Sequence, residues 1–204
     1  IVATGSNRDK LAMLRNSKDQ AFFGAPLVTF PSLEKDYVAW FCDGVGLPAK
    51  LDVDTVYRLF EQAAFRPELL AAAADEVRFD FALDPNKVGE SFVKAVLSQI
   101  EMADAQTMRV IYSLTPLQSS VLRVMAAKAD KYAPFDENAI KLYATVIKSI
   151  APAETVVPDV SNVQQALSAL QDKGLVWREK RGVYALEETT TAELLRNAGF
   201  LAGL

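Results

Sequence analysis

Apolar positions are spaced differently in successive parts of the chain. IVAT at residues 1–4 is a short apolar run, RDKLAMLRN at 8–16 has helical spacing, and APLVTF at 25–30 is a second short apolar run opened by a proline. Strand, helix, strand is the predicted order. From Ser32 onward apolar residues recur every three or four positions, which predicts helices. Leu33, Tyr37, Trp40 and Phe41 fall on one face of a helix stopped at Asp43-Gly44. Asp54 is the expected cap of a helix with Val56, Leu59, Phe60 and Ala63 inward, and Pro67 sits in the first turn of another carrying Leu69, Leu70, Ala73 and Val77. Asp84-Pro85 repeats that start pattern, and the helix beyond it shows Val88, Phe92, Val93, Val96, Leu97 and Ile100 and continues toward Tyr112. These stripes predict a bundle of about four helices whose aromatic residues are core packing.

Thr115-Pro116 marks another cap and first turn, and so a boundary. Beyond it Leu117, Val121, Leu122 and Met125 make one helical stripe, and Ile140, Tyr143, Ala144 and Ile147 a second. APAETVVPDV at 151–160 lacks periodicity and reads as a connector. SNVQQALSALQDKG at 161–174 is then an amphipathic helix with a glycine stop, with Val163, Ala166, Leu167 and Leu170 inward and Ser161, Asn162, Gln164, Gln165, Ser168 and Gln171 outward. LVWREK, an Arg181-Gly182 turn and VYAL follow as a small hairpin, and a short last helix covers Thr191–Asn197. Helices followed by a hairpin with basic residues near its tip is the order of a winged-helix module, whose helix before the hairpin is offered to a DNA major groove or to a partner protein. Gln164 and Gln165 have the donor and acceptor to read adenine edges, and Arg178, Lys180 and Arg181 are placed to hold phosphates. The plainer reading stands beside it: polar residues on an outer helix face are what water requires, and basic residues at a hairpin tip protect strand edges.

Composition narrows the chemistry. The chain has 204 residues, half of them hydrophobic, enough for one large core or two smaller ones. Its net charge is −4, and residues 115–188 hold nine Lys/Arg against nine Asp/Glu, so any nucleic-acid contact must be local. No apolar run approaches the roughly 20 residues that span a bilayer, so no membrane partner is expected and the cytoplasm is the expected compartment. The one cysteine, Cys42, lies in the apolar run YVAWFC and reads as a core thiol. Histidine is absent, which excludes Ser/His/Asp and Cys/His catalysis and His-based metal sites within this chain, and no metal site is expected.

The opening ATGSNRDKL, then RNSKDQAFFGAPLVTF, the helical section holding AAFRPELL, and the final winged helix together resemble the C-terminal part of an AAA-type ATPase. The likeness is to the archaeal-type and STAND-like members, which place a helical lid and a winged helix after the nucleotide-binding core. It implies a mainly α chain in three parts: residues 1–31 as the end of a parallel α/β nucleotide-binding core, 32–114 as a lid bundle and 115–204 as a winged-helix domain. Thr4-Gly5-Ser6-Asn7 is similar to the sensor-1 segment, where Asn7 and Ser6 would orient the water that attacks the γ-phosphate. Arg66, just before Pro67, resembles the sensor-2 arginine of the lid, whose guanidinium matches phosphate oxygens in pairs. Arg15 and Lys18 lie about where such ATPases carry a trans-acting finger.

Each position also has an ordinary structural reading. Thr-Gly-Ser-Asn fits a strand-to-helix turn capped by Ser6 or Asn7, and Arg66 fits a loop end. The sequence carries no GxxxxGK[ST] loop and no apolar strand ending in paired acids, so ATP and Mg²⁺ are expected in an intact parent protein and not in this chain alone. Two strands by themselves leave open edges and a bare apolar face, so the chain is expected to begin inside a domain, its partner being a missing N-terminal ATPase core. The expected function is then to couple nucleotide state to a winged-helix module that binds DNA or a protein. The alternative is a stand-alone winged-helix adaptor or transcriptional regulator that uses no nucleotide.

Overall fold

A computed structural model describes residues 8–26, 33–180 and 182–204. Among them the protein is mainly helical, with a two-stranded antiparallel hairpin as its sheet. The described residues separate into two compact units, one of residues 33–107 and one of residues 8–26, 108–180 and 182–204, with the division within a long helix.

In the first unit α2 (Lys35–Gly44), α3 (Val53–Gln62), α4 (Pro67–Arg78) and the part of α5 (Val88–Tyr112) up to Thr107 make the expected four helices. Their core centres on Val38, Phe60, Leu70, Phe92 and Val96, all fully buried, and side chains of this size contribute roughly 1.5–3 kcal/mol each on burial. The expected stripes of α3 and α4 are all buried. Two expectations need correcting. The inward face of α2 runs through Val38 and Phe41, whereas Trp40 is 69% exposed and Leu33 precedes the helix. The cap of α3 is Asp52, not Asp54: the Asp52 carboxylate accepts from the Thr55 backbone N–H at 2.8 Å and from its hydroxyl at 2.7 Å, while Asp54 pairs with Lys35 at 2.5 Å. An aspartate two residues earlier reaches the N3 amide, and one inside the first turn cannot.

The second unit is built around α6 (Pro116–Lys128), which packs against α7 (Glu137–Ile150), α8 (Val160–Asp172) and α9 (Thr190–Asn197). Thr115 and Gln118 form a reciprocal capping box at its start. Leu122, Tyr143, Leu167, Leu170 and Leu195 are fully buried in its core. Gly174, at a φ of 69°, lets the Leu175 N–H turn back to the Leu170 carbonyl at 3.0 Å, and the hairpin begins at once: β1 (Val176–Lys180) pairs with β2 (Val183–Leu186). α1 (Arg8–Asn16) forms where expected and packs against β1. The two apolar runs expected as parallel strands fall at residues 1–4 and 25–30; Ala25 and Pro26 are irregular and the remainder lies outside the described residues.

Candidate interaction surface

The amphipathic pattern of α8 positions the candidates. Val163, Ala166, Leu167 and Leu170 are buried, and on the opposite side Ser161, Gln164, Gln165 and Ser168 are exposed, as the periodicity requires. Asp159 caps the helix, its carboxylate accepting from the Asn162 N–H at 2.7 Å.

Gln164 is not idle on that face. Its side-chain nitrogen donates to the hydroxyl of Tyr184 at 3.1 Å, joining α8 to β2. Tyr184 is buried, faces Arg178 across the hairpin, and carries the Arg178 guanidinium 5.9 Å from its ring centre. Gln164, Tyr184 and Arg178 therefore form one cluster. Gln165 and Lys180 lie exposed beside it in sequence, on the helix and at the strand end. The hairpin register shifts between Arg178 and Lys180, so Lys180 faces Val183. Arg181, the third basic residue of the tip, lies outside the described residues. A short polar side chain, one aromatic ring and cations at a hairpin end can bind an anionic or polar partner surface; they hold no nucleophile and no general base.

Arg66 belongs to the other unit. It is the residue before α4, and its placement follows from two residues in the left-handed region, Ala64 at φ 53° and Phe65 at φ 57°. The Phe65 N–H returns to the Phe60 carbonyl at 2.9 Å, and the Phe65 ring meets Phe60 edge-on at 5.4 Å. The Arg66 side chain then folds back: Nε donates to the Ala63 carbonyl at 2.9 Å and the guanidinium lies 3.8 Å from the Asp104 carboxylate of α5. An arginine held this way braces a helix connection. Ser6 and Asn7 lie outside the described residues. Arg15 donates from Nε to the Ala25 carbonyl at 3.1 Å and so closes the turn after α1, and Lys18 is exposed. Among the described residues, no group of three or more Cys, Asp or Glu side chains is gathered to hold a metal, and no helix is long and apolar enough to cross a membrane.

Sequence reading missed the part of Tyr184. Alternation in VYAL places it inward, but nothing in the sequence pairs its hydroxyl with a residue twenty positions earlier. Comparison with known protein families, curated proteins and solved structures found no match to this chain.

Proposed function

We propose that residues 108–204 are a winged-helix-type interaction module and residues 33–107 a helical lid, together forming the C-terminal end of an ATP-dependent switch of the AAA and STAND-like kind. One arrangement carries the module: α8, apolar inside and polar outside, runs directly into a hairpin that Gln164 fastens to it through Tyr184. The partner that suits this face best is a protein. Across residues 115–188 nine basic residues against nine acidic ones leave no net attraction for phosphates, and Gln164 has already spent a donor on Tyr184. The ATPase parent is supported by the likeness of the ATGSNRDKL opening and the order of parts that follows it. The contact of Arg66 with Asp104 favours the second reading, an adaptor without a nucleotide, because it gives the arginine a structural task.

Two measurements decide between these. A P-loop encoded within about 150 residues upstream of Ile1, the usual size of a domain, supports the ATPase parent; an in-frame start codon directly before Ile1 removes it. In a salt titration on random-sequence duplex, weak binding with a shallow slope is expected, unchanged when Arg178, Lys180 and Arg181 are all replaced by alanine. A slope that falls by about three units, roughly one per lost phosphate contact, transfers the module to DNA.

A further inference from the structure

A cavity of about 190 Å³ opens in the second unit between the end of α5, the start of α6, the end of α7 and the segment after α9. Ile111, Leu114, Ile150 and Phe200 supply its apolar side, and its polar side chains are Tyr112 of α5 and Ser119 and Arg123 of α6. Arg123 is half-buried. Its Nε donates to the Ser119 hydroxyl oxygen at 3.1 Å, and its guanidinium carbon sits 4.0 Å from the centre of the Phe200 ring, which Tyr112 meets edge-on at 5.8 Å.

Arg123 is half-buried without an acid: among the described residues no carboxylate lies within 4.0 Å of it, whereas the part-buried Arg66 has Asp104 at 3.8 Å. Burial alone acts on it, pulling its pKa down from the ordinary arginine value with no acid to offset the effect. A guanidinium stays charged even so, and its two NH₂ groups are additional to the Nε that Ser119 takes. The Ser119 oxygen accepts from Arg123, which leaves its own O–H to donate.

We propose that this cavity binds a small carboxylate with a single-ring or branched aliphatic body. The carboxylate takes the paired terminal N–H groups of Arg123, a geometry that a planar guanidinium matches with two parallel hydrogen bonds, while Ser119 holds the guanidinium through Nε. The body lies against Ile111, Leu114, Ile150 and Phe200. A monoanion is the best match because Arg123 is the one cation lining the cleft, and it balances a single negative charge. Size follows from the volume, since an apolar cavity of roughly 150 Å³ accommodates benzene. This site is independent of the winged-helix reading.

Phenylacetate is the probe, and phenylacetamide, of the same shape without the charge, is its control. Titrated into the ¹⁵N-labelled protein, phenylacetate is expected to give saturable amide shifts centred on Ser119, Arg123 and Phe200, with at least tenfold weaker binding of the amide. Arg123→Gln is expected to erase that preference. If Arg123→Gln does not fold, Ile150→Trp, which fills the cavity from the opposite wall, is expected to weaken phenylacetate at least tenfold. Equal affinity for acid and amide, shifts centred elsewhere, or no saturation at millimolar concentration would each overturn the proposal.

Discussion

Ala64 and Phe65 show what a single residue contributes when the backbone around it is constrained. Both occupy the left-handed region, which costs an ordinary residue about 1–2 kcal/mol, and Phe65 recovers part of that through its ring contact with Phe60. Ala64 has no such contact among those described. Ala64→Gly is therefore expected to raise stability by about 0.5–1 kcal/mol in a urea melt, the relief of strain exceeding the extra freedom glycine gains in the unfolded chain. Tyr143 is the opposite case. Its hydroxyl donates to the Pro134 carbonyl at 3.1 Å and accepts from Tyr132 at 2.8 Å, all under the core. Tyr143→Phe strips a partner from both neighbours and is expected to cost about 1–3 kcal/mol. The same chain sets an alkaline limit. Burial, partly offset by the hydrogen bond from Tyr132, pushes the Tyr143 hydroxyl from 10.0 up to about 12, and burial first of all pushes Tyr132 up as well. A raised folded value means that the stability is fully present below pH 10 and drains away as pH rises through about 12. A denaturation midpoint that stays level from pH 9 to pH 12 would contradict this assignment.

Elements are held by their ends as much as by their faces. α6 begins with the Thr115 and Gln118 capping box, where each side chain accepts from the other's backbone amide. Thr115→Ala is expected to cost about 1 kcal/mol. At the start of α3 the two aspartates should part company: Asp52→Ala lowers stability and Asp54→Ala does not follow it, because Asp52 alone accepts from the Thr55 amide and hydroxyl. Those hydrogen bonds hold the Asp52 carboxyl below its usual range, so its contribution is present at neutral pH and fades as acid protonates it. Equal losses in the two variants, read from thermal melts, would restore the cap to Asp54. The hairpin makes the same point for strands. Two strands alone are marginal in water, and here Tyr184 inserts into the core beneath them while its hydroxyl meets Gln164 of α8. Helix starts, stripes and the hairpin were legible in the sequence because each depends on residues within one or two turns of each other. Which aspartate caps, and that Trp40 faces outward, were not, because several faces of a short apolar helix satisfy the same period.

For the whole molecule the organising fact is two cores that share no residue, one around Phe60, Leu70 and Phe92 and the other around Leu122, Tyr143 and Leu167. Leu70→Ala and Leu167→Ala each empty a fully buried site and are expected to cost about 2–5 kcal/mol. Together they should add to within about 0.5 kcal/mol, and a larger departure in a double-mutant cycle would show that the cores are coupled. By itself the sequence determined the helical class, a group of about four helices in residues 32–114, the helices and hairpin after Thr115, and the exposed polar face of α8, since hydrophobic period and capping chemistry are local properties. Tertiary structure alone decided three further things: Gln164 is spent on Tyr184, Arg66 turns back to Ala63 and Asp104, and Arg123 stands beside Phe200 over an apolar cavity. Apart from the local bond of Arg66 to the Ala63 carbonyl, each of these joins side chains far apart in the chain. A residue's partner at that range is set by how helices pack and by which polar groups burial leaves in need of one, and no spacing rule along the sequence encodes it.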